Sequence, residues 1–508
     1  LMLAFSVRPW VAIIGGLAYG LGSFNIISIE AGHMWKVWAI AYMPMVLAGV
    51  HLTVNKKYIY GALLLAIGLA LELRSNHLQI TYYLLLLLLI YGVTYAFFAF
   101  RAGELNSLFK SVGVMCIAAV IALGCNLGKI WSVYEYGQYS TRGPSDLTKT
   151  ENVTDGLDKE YAFRWSNGIL EPITLLIPDF FGGPSVNALS ANSNLGEALR
   201  NNGLTTVQIR QQVQQVYTYW GKQPITAGPS YAGAIVIFLF VSSFFLLNRK
   251  HVIWISVAVV LSIVLSWGHN FEGFNNLVFD YFPGYNKFRS VSMTLVIALL
   301  CIPLAAFMAL EKLLIDFDKP ETKKIVLKTS AITGVVLILA ILYSFIGDFR
   351  APVDDQLSGQ LPQWSIDAVR ADRAGLLRGD AFRSLIMIGL VLAAAYMYGR
   401  KNINATVLCA IIGALVVFDL WTVNTRYLTS DDFARSGQSA VAATDADKVI
   451  QNDQDLNFRV LSFLQNPWSE ARTAYFHKSI GGYHGAKLRR YQELIENCLD
   501  QQYRGVLQ

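Results

Sequence analysis

The chain has 508 residues, of which 54% are hydrophobic, 13% aromatic and 15% charged. Soluble domains carry about 25% charged residues, so this composition excludes a disordered chain, a collagen-like chain and a typical cytosolic enzyme. The net charge of +6 comes from short basic clusters between apolar blocks. That distribution is typical of membrane topology rather than of a nucleic-acid interface, so we expect membrane lipids and no nucleic acid among the partners.

Apolar segments long enough to predict membrane-spanning helices recur along the chain. We predict about eleven spans, at 11–28, 37–53, 59–73, 78–100, 112–131, 231–247, 252–267, 291–310, 332–345, 385–398 and 405–421. The predicted fold class is therefore an all-α polytopic membrane protein.

Basic residues orient these spans, because short cytoplasmic loops are enriched in Lys and Arg. With Arg8 on the inside, alternation places every basic turn on the same side, including Lys56-Lys57, Arg249-Lys250 and Arg400-Lys401. The long loop after the fifth span and the C-terminal tail are then extracytoplasmic.

This topology divides the chain into four segments. Residues 1–131 and 231–422 form two transmembrane bundles, 132–230 form an extracytoplasmic loop domain, and 423–508 form an extracytoplasmic soluble domain. Within them we predict helices at 205–216 and 486–499 and a strand at 458–463, which gives an α/β C-terminal segment. Since the sequence begins at Leu1 rather than at Met and is apolar almost at once, we expect the true N-terminus to be missing. The tail ends without a stop signal, so we expect the C-terminal domain to be incomplete as well.

Polar and ionisable residues cluster at the outer ends of the predicted helices, where they indicate a functional site. Arg74, Lys287 and Arg289 have the chemistry to bind a phosphate, and Glu30 and Glu72 could act as a general base. We predict that other polar and aromatic residues bind substrate: His33, Asn76, His77, Gln79, Trp220, Gln223, His269 and Tyr285.

Structural alternatives exist for several of these residues. Glu72 and Arg74 could form an interfacial ion pair, and Lys287 and Arg289 could extend to lipid headgroups. No His/Cys spacing suggests a zinc site, Asp179 and Asp354-Asp355 are weak metal candidates, and no phosphate-binding glycine loop is present. We therefore name no metal ligands, and the requirement for a divalent metal stays open.

Several of these segments resemble one known family. The similarity lies in Glu30-Ala-Gly-His33, in 70–83, 178–183, 219–224 and 285–289, and in the tail segment 475–491. Together they resemble the YfhO-like bacterial membrane proteins in the form found in Bacteroidetes, over nearly the whole chain.

YfhO-like proteins are similar to the GT-C superfamily of polytopic glycosyltransferases. The resemblance implies a polyprenyl-phosphate-linked sugar as donor, and transfer to a cell-envelope acceptor outside the bacterial cytoplasmic membrane. GT-C enzymes usually carry their catalytic carboxylate in the first outer loop. Family members normally have a helix and an outer segment before the point where this chain starts, so the resemblance places that acid upstream of Leu1. Glu30 and Glu72 are the substitutes within this chain.

Two other functions stay open. A transporter or flippase of lipid-linked glycans would need polar residues through the midplane and on both faces, whereas the inner halves of the predicted helices look plain. A non-catalytic membrane subunit of an envelope protein complex could dock through the long loop and the tail.

Overall fold

The computed structural model describes residues 1–143, 157–433, 441–455 and 457–499. Within these ranges the chain is helical, and β-type pairing is limited to three isolated bridges. The prediction of a helical, polytopic membrane protein is confirmed. The predicted strand at 458–463 is not confirmed: Val460 bridges Ser479 alone, and the partner segment soon reaches Gly482, whose φ of 118° is incompatible with an extended strand.

The chain begins with a bent pair of helices. α1 (Pro9–Gly20) and α2 (Ser23–Glu30) meet at an angle of 43°. Pro9 fits the first position of α1, where its missing N–H group costs nothing. The pair corresponds to the first predicted span, which is therefore broken rather than continuous.

The other helices follow in chain order. They are α3 (Met34–Val54), α4 (Tyr58–Arg74), α5 (Leu78–Arg101), α6 (Leu105–Tyr139), α7 (Lys159–Phe163), α8 (Asn194–Asn201), α9 (Thr206–Gln212), α10 (Ala234–Leu246), α11 (Arg249–Ser266), α12 (Glu272–Tyr281), α13 (Leu295–Ile315), α14 (Pro320–Ile346), α15 (Pro352–Leu357), α16 (Gln363–Gly399), α17 (Ala405–Asn424), α18 (Asp445–Gln451), α19 (Arg472–Phe476) and α20 (Arg489–Leu494). Short 3₁₀ turns connect several of them, including Glu171–Leu175, Pro178–Phe181 and Tyr285–Lys287.

The number of spans differs from the prediction of eleven. In the described ranges eight helices are long and apolar enough to cross a membrane, and the bent pair raises the number to nine. The predicted segments at 59–73 and 231–247 are helical as α4 and α10, with 17 and 13 residues. Neither is among the eight. α10 is shorter than the about 17–25 residues that a membrane crossing takes, and α4 lies at the lower limit of that range. Conversely, the short predicted spans at 332–345 and 385–398 lie inside longer helices, α14 and α16, of 27 and 37 residues.

α13 forms the centre of the membrane bundle. It packs against α1, α10 and α11, and nearly all of its side chains are buried. A helix that is apolar on every face can be covered by lipid or by other helices, and α13 is covered by other helices. The remaining long helices expose large apolar side chains, as lipid contact requires.

The two ends of the bundle have different chemistry. At one end, here called the basic end, Arg8 pairs with Glu311 at 2.7 Å, Lys56 with Glu104 at 3.1 Å, and Lys401 with Asp318 at 2.9 Å. The opposite end, here called the loop end, holds the α2–α3 and α4–α5 turns together with residues 157–233 and 267–294. The basic turns therefore lie together, as the sequence predicts.

By its contacts the chain forms two compact units. The first comprises residues 1–127 and 159–428, and the second comprises 128–158 and 429–508. This division differs from the four predicted segments, because residues 159–230 belong to the same unit as the membrane helices. Part of the predicted loop domain has its own small core, in which α8 and α9 pack through Leu195, Leu199, Ile209, Val213 and Val216.

Charged side chains within the second unit hold its described segments together. Asp447 of α18 accepts hydrogen bonds from Arg472 at 2.6 Å and from His477 at 3.0 Å, and these partners hold the pKa of Asp447 well below its usual range. Arg489 donates to the carbonyls of Thr141 and Gly143. The predicted helix at 486–499 is observed as α20 followed by a π-helical turn, Ile495–Leu499.

Buried ion pairs fix α16 and α17 at the loop end. Asp419 accepts from Arg383 at 2.5 Å, from Tyr231 Oη at 2.8 Å and from the backbone N–H of Ala234 at 2.9 Å. Because the last group is at the N-terminus of α10, Asp419 also serves as a cap for that helix. One carboxylate therefore joins three elements.

Arg426, just beyond the end of α17, joins the 3₁₀ turn at Pro178–Phe181 to α16 through two buried carboxylates. Arg426 donates to Asp179 at 2.8 Å and to Asp380 at 2.7 and 2.8 Å. Burial and the neighbouring charge of Asp380 raise the pKa of Asp179 to about 6, although Arg426 opposes the shift. Asp179, Asp380 and Asp419 therefore carry more negative charge than Arg383 and Arg426 compensate.

This raised pKa predicts a pH-dependent contribution to stability. Between about pH 4 and pH 6 the folded chain binds a proton at Asp179 that the unfolded chain has lost, so the contribution of this group to stability falls as pH rises through that window. We expect the thermal midpoint of Asp179→Asn, relative to wild type, to be higher at pH 7.5 than at pH 4.5. Asp367→Asn, at an exposed position in α16, is the matched control. Equal differences at both pH values for Asp179→Asn would contradict the assignment.

Candidate functional site

The α4–α5 turn positions the first group of predicted site residues. Asn76 adopts φ of +54° in the turn, and the His77 ring accepts a hydrogen bond from the backbone of Ile80 at 3.4 Å. Gln79, buried in the first turn of α5, donates to the Arg289 carbonyl at 2.6 Å and to Tyr83 Oη at 2.8 Å. Predicted residues more than 200 positions apart are therefore in direct contact.

Three basic side chains converge beside this contact: His33, Lys36 and Arg289, here called the cation cluster. Partial burial and the positive charges of Lys36 and Arg289 lower the pKa of His33. Arg289 donates to Tyr161 Oη at 2.6 Å, and its guanidinium lies 5.7 Å from the centroid of the Trp165 ring. Like charges repel, so a nearby anion would stabilise the arrangement.

Glu72 occupies the last turn of α4 and is fully buried. Thr81 Oγ1 donates to its Oε1 at 3.2 Å, whereas Oε2 has no hydrogen-bond partner among the described residues. Within those residues Glu72 also makes no ion pair with Arg74, which is exposed. Burying a carboxylate oxygen without a hydrogen-bond donor destabilises the folded chain, so a ligand that donates a hydrogen bond to Oε2 would remove this cost.

An apolar groove runs along α1 from the basic end to the α2–α3 turn. Its lining begins at Leu3, passes Gly16 and Tyr19, and ends at Ile29 and Val37, with further walls from α3 and α13. The 12 residues of α1 correspond to about 18 Å of helix. Tyr19 of the groove lies near Glu72, so the groove passes near the buried carboxylate.

The cation cluster lies where this groove ends. Lys36 precedes the groove residue Val37 and lies 4.9 Å from the centroid of the Phe24 ring in α2. The groove and the cluster together provide an apolar channel with a positively charged end. An amphipathic anion with a long apolar tail has the complementary chemistry.

Other predicted residues occupy different surroundings. Glu30 is exposed, Lys287 is partly buried, and the Tyr285 hydroxyl is buried without a partner among the described residues. His269 contacts the Phe163 carbonyl at 3.2 Å. Trp220 packs in an aromatic cluster, with ring centroids 4.5 Å from Phe181 and 5.3 Å from Phe349, 6.0 Å from Phe180 and 6.3 Å from Tyr343.

The segment from α7 to the Glu171–Leu175 turn contributes residues that the sequence analysis did not select. Tyr161 and Trp165 contact Arg289, and Asn167 accepts from Gln223 at 2.8 Å. Glu171 is buried and accepts from Tyr219 Oη. Burial raises the pKa of Glu171, which its hydrogen bonds partly offset. The only signal in the sequence was the density of aromatic and polar residues in 157–171.

The basic end also holds buried polar residues, contrary to the expectation that the inner halves of the helices are plain. His51 Nδ1 lies 2.7 Å from Tyr91 Oη and 3.3 Å from Tyr95 Oη. The Phe5 ring stacks on His51 with centroids 3.6 Å apart, and the Lys250 ammonium lies 3.3 Å from the centroid of the Tyr95 ring. The N-terminal segment therefore covers this cluster.

Metal binding and similarity to known proteins give little further guidance. In the described part of the chain, no group of three or more His, Cys, Asp and Glu side chains is placed to hold a metal ion. No protein-family model, curated protein or solved structure matches the chain.

Proposed function

We propose that the protein is a glycosyltransferase of the GT-C type, which moves a sugar from a polyprenyl-phosphate donor to a cell-envelope acceptor. The observation that supports this proposal is an apolar groove that ends beside the cation cluster and that is lined by Tyr19, a neighbour of the buried Glu72 with its unpartnered Oε2. A lipid phosphosugar requires a channel for its tail, cations for its phosphate and a base for its acceptor.

In this proposal each part of the site has one role. The groove along α1 holds the isoprenoid tail, and Arg289, Lys36 and His33 neutralise the phosphate. Arg74 and Lys287 extend the positive charge around the entrance. Charge builds up on the leaving phosphate as the glycosidic bond breaks, so these cations stabilise the transition state more than the ground state.

Glu72 is the proposed general base. Its unpartnered Oε2 accepts the proton of an acceptor hydroxyl while the hydroxyl oxygen attacks the anomeric carbon. The bond from that carbon to the phosphate oxygen breaks, and the polyprenyl phosphate departs with the bonding electrons. Attack opposite the leaving group inverts the anomeric configuration. Glu30, exposed at the end of α2, has no comparable environment.

The proposal includes the topology. α4 and α10, shorter than typical spans, would complete eleven crossings of the bacterial cytoplasmic membrane. The loop end and the second unit would then be extracytoplasmic, consistent with the basic residues gathered at the opposite end. Other envelope proteins are possible partners of the loop segment and the tail.

Blocking the groove tests the assignment of its occupant. A Cβ atom added at Gly16, which lines the groove, meets nothing within 4 Å, and the same holds at Gly113 in α6, which does not line it. We expect Gly16→Phe to weaken binding of polyprenyl phosphate in nanodiscs at least about tenfold, because the ring fills space that the tail needs. Gly113→Phe is the matched control. Equal binding by wild type and both variants, measured by native mass spectrometry, would contradict the groove assignment.

A further inference from the structure

A small polar cavity lies at the loop end, separate from Glu72. Its polar lining includes Asn167, Glu171, Tyr219 and Gln223 together with three hydroxyl residues, Thr174, Thr226 and Ser230, and Phe181 contributes to an apolar wall. The space suits a few water molecules. It could therefore accept the hydroxyl groups on one edge of a small ligand, but not a bulky group.

The back of the cavity is rigid. Glu171 accepts hydrogen bonds from the Gly168 N–H at 2.8 Å, from the Lys222 N–H at 2.9 Å and from Tyr219 Oη. Tyr219 Oη in turn accepts from the backbone of Gln223 at 2.9 Å. These bonds join the Glu171–Leu175 turn to residues 219–223, so a ligand meets preformed groups.

Two side-chain amides meet in the lining. Gln223 Nε2 donates to Asn167 Oδ1 at 2.8 Å. Each amide group carries both donor and acceptor capacity beyond this one bond. Neighbouring sugar hydroxyls match such a pair, because each hydroxyl both donates and accepts.

The charge of the lining and its position identify the kind of ligand. In the described chain, no Lys, Arg or His side chain lines the cavity, which disfavours a phosphate. Yet Trp165 lies beside Arg289 and Asn167 is only two residues further along. Two residues span at most about 7 Å of chain, so a neutral polyhydroxyl group attached to a phosphate at Arg289 would lie near the cavity.

We propose that this cavity is a recognition subsite for the sugar ring of the donor, with Asn167 and Gln223 contacting its hydroxyls. The inference rests on the proposed function, since it assumes that the phosphate binds at the cation cluster. It adds that Asn167 and Gln223 distinguish one sugar from another. Glu171 and Tyr219 are positioning residues that hold the subsite in shape.

The test compares lipids with and without a sugar. Protein in nanodiscs is titrated with polyprenyl phosphate alone and with polyprenyl phosphate carrying a hexose, an N-acetylhexosamine or a pentose. We expect wild type to bind one glycosylated lipid more tightly than the bare lipid. Asn167→Ala and Gln223→Ala should each weaken that preferred binding about tenfold, as loss of a hydrogen bond predicts, and leave binding of the bare lipid unchanged. Gln211→Ala, at an exposed position in α9, is the control.

The outcomes separate this inference from the proposed function. Binding of the bare lipid by both variants shows that they are folded. Equal binding of bare and glycosylated lipids by wild type would overturn the subsite. An unchanged sugar preference in both variants would also overturn it, as would variants that bind both lipids equally more weakly. If wild type bound none of the lipids, the proposed function itself would fail, and the subsite with it.

Discussion

Sugar transfer by the Arg289→Ala variant is expected to fall by about 100-fold to 1,000-fold, the usual effect of removing a group that stabilises transition-state charge. Arg289 is held by Tyr161 Oη at 2.6 Å, and its backbone carbonyl by Gln79 at 2.6 Å, so its guanidinium is fixed at the cation cluster. The initial rate of transfer in proteoliposomes measures the effect. Arg289→Lys should retain part of the activity, because it keeps the charge but loses the planar, bidentate geometry.

A basic residue from the opposite end provides the control. Arg400 follows α16 at the basic end, and its guanidinium carbon lies 6.0 Å from the centroid of the Tyr396 ring. Arg400→Ala should transfer sugar at the wild-type rate. Wild-type transfer by Arg289→Ala at normal protein levels would remove Arg289 from the site.

Glu72→Gln is expected to show the other large effect, a loss of transfer by about two to four orders of magnitude. The substitution keeps the size of the side chain and its acceptor for Thr81, but it removes the base. Stability should not fall, since a neutral amide replaces a buried carboxylate whose Oε2 lacks a partner. Transfer rate and thermal midpoint are measured on the same preparation.

The Glu30→Gln variant separates the two candidate carboxylates. Glu30 is exposed at the end of α2, and its variant should retain most of the activity. A severe loss in Glu30→Gln with normal transfer in Glu72→Gln would reverse the assignment. A drop in both activity and thermal midpoint of Glu72→Gln would indicate a structural role instead.

The sequence predicted the membrane helices well where apolar runs were long, and poorly where the runs were interrupted. The first turns of α14 were not predicted, because Pro320 and the lysines after it lower the hydropathy of the segment without preventing a helix. The part of α16 before the predicted span at 385–398 likewise has a helical backbone but a polar sequence. Helix ends are fixed by capping and packing as well as by hydropathy.

The site was only partly visible in the sequence. Gln79, Arg289 and His33 were selected because each lies at the end of an apolar run, and the structure brings all three together. Tyr161 was missed because its contact with Arg289 joins positions 128 residues apart. Trp220 was selected as an aromatic residue near polar ones. Whether it contacts a ligand or packs in the core depends on residues far away in the sequence, such as Phe349.

The buried cluster at the basic end bears on the transporter alternative. His51, Tyr91 and Tyr95 show that polar groups are not confined to the loop end. The groove, however, is apolar along α1 and joins the cation cluster rather than a polar path. These contacts favour retention of a lipid tail over passage of a glycan.

The most direct test is a transfer reaction with the purified protein in vesicles, supplied with radiolabelled polyprenyl-phosphate sugar and an envelope fraction as acceptor. We expect label to leave the lipid and become covalently attached to an acceptor, and both Arg289→Ala and Glu72→Gln to suppress this transfer. Label that stays on the lipid for every donor tested, or crosses the bilayer with its phosphate bond intact, would contradict this expectation.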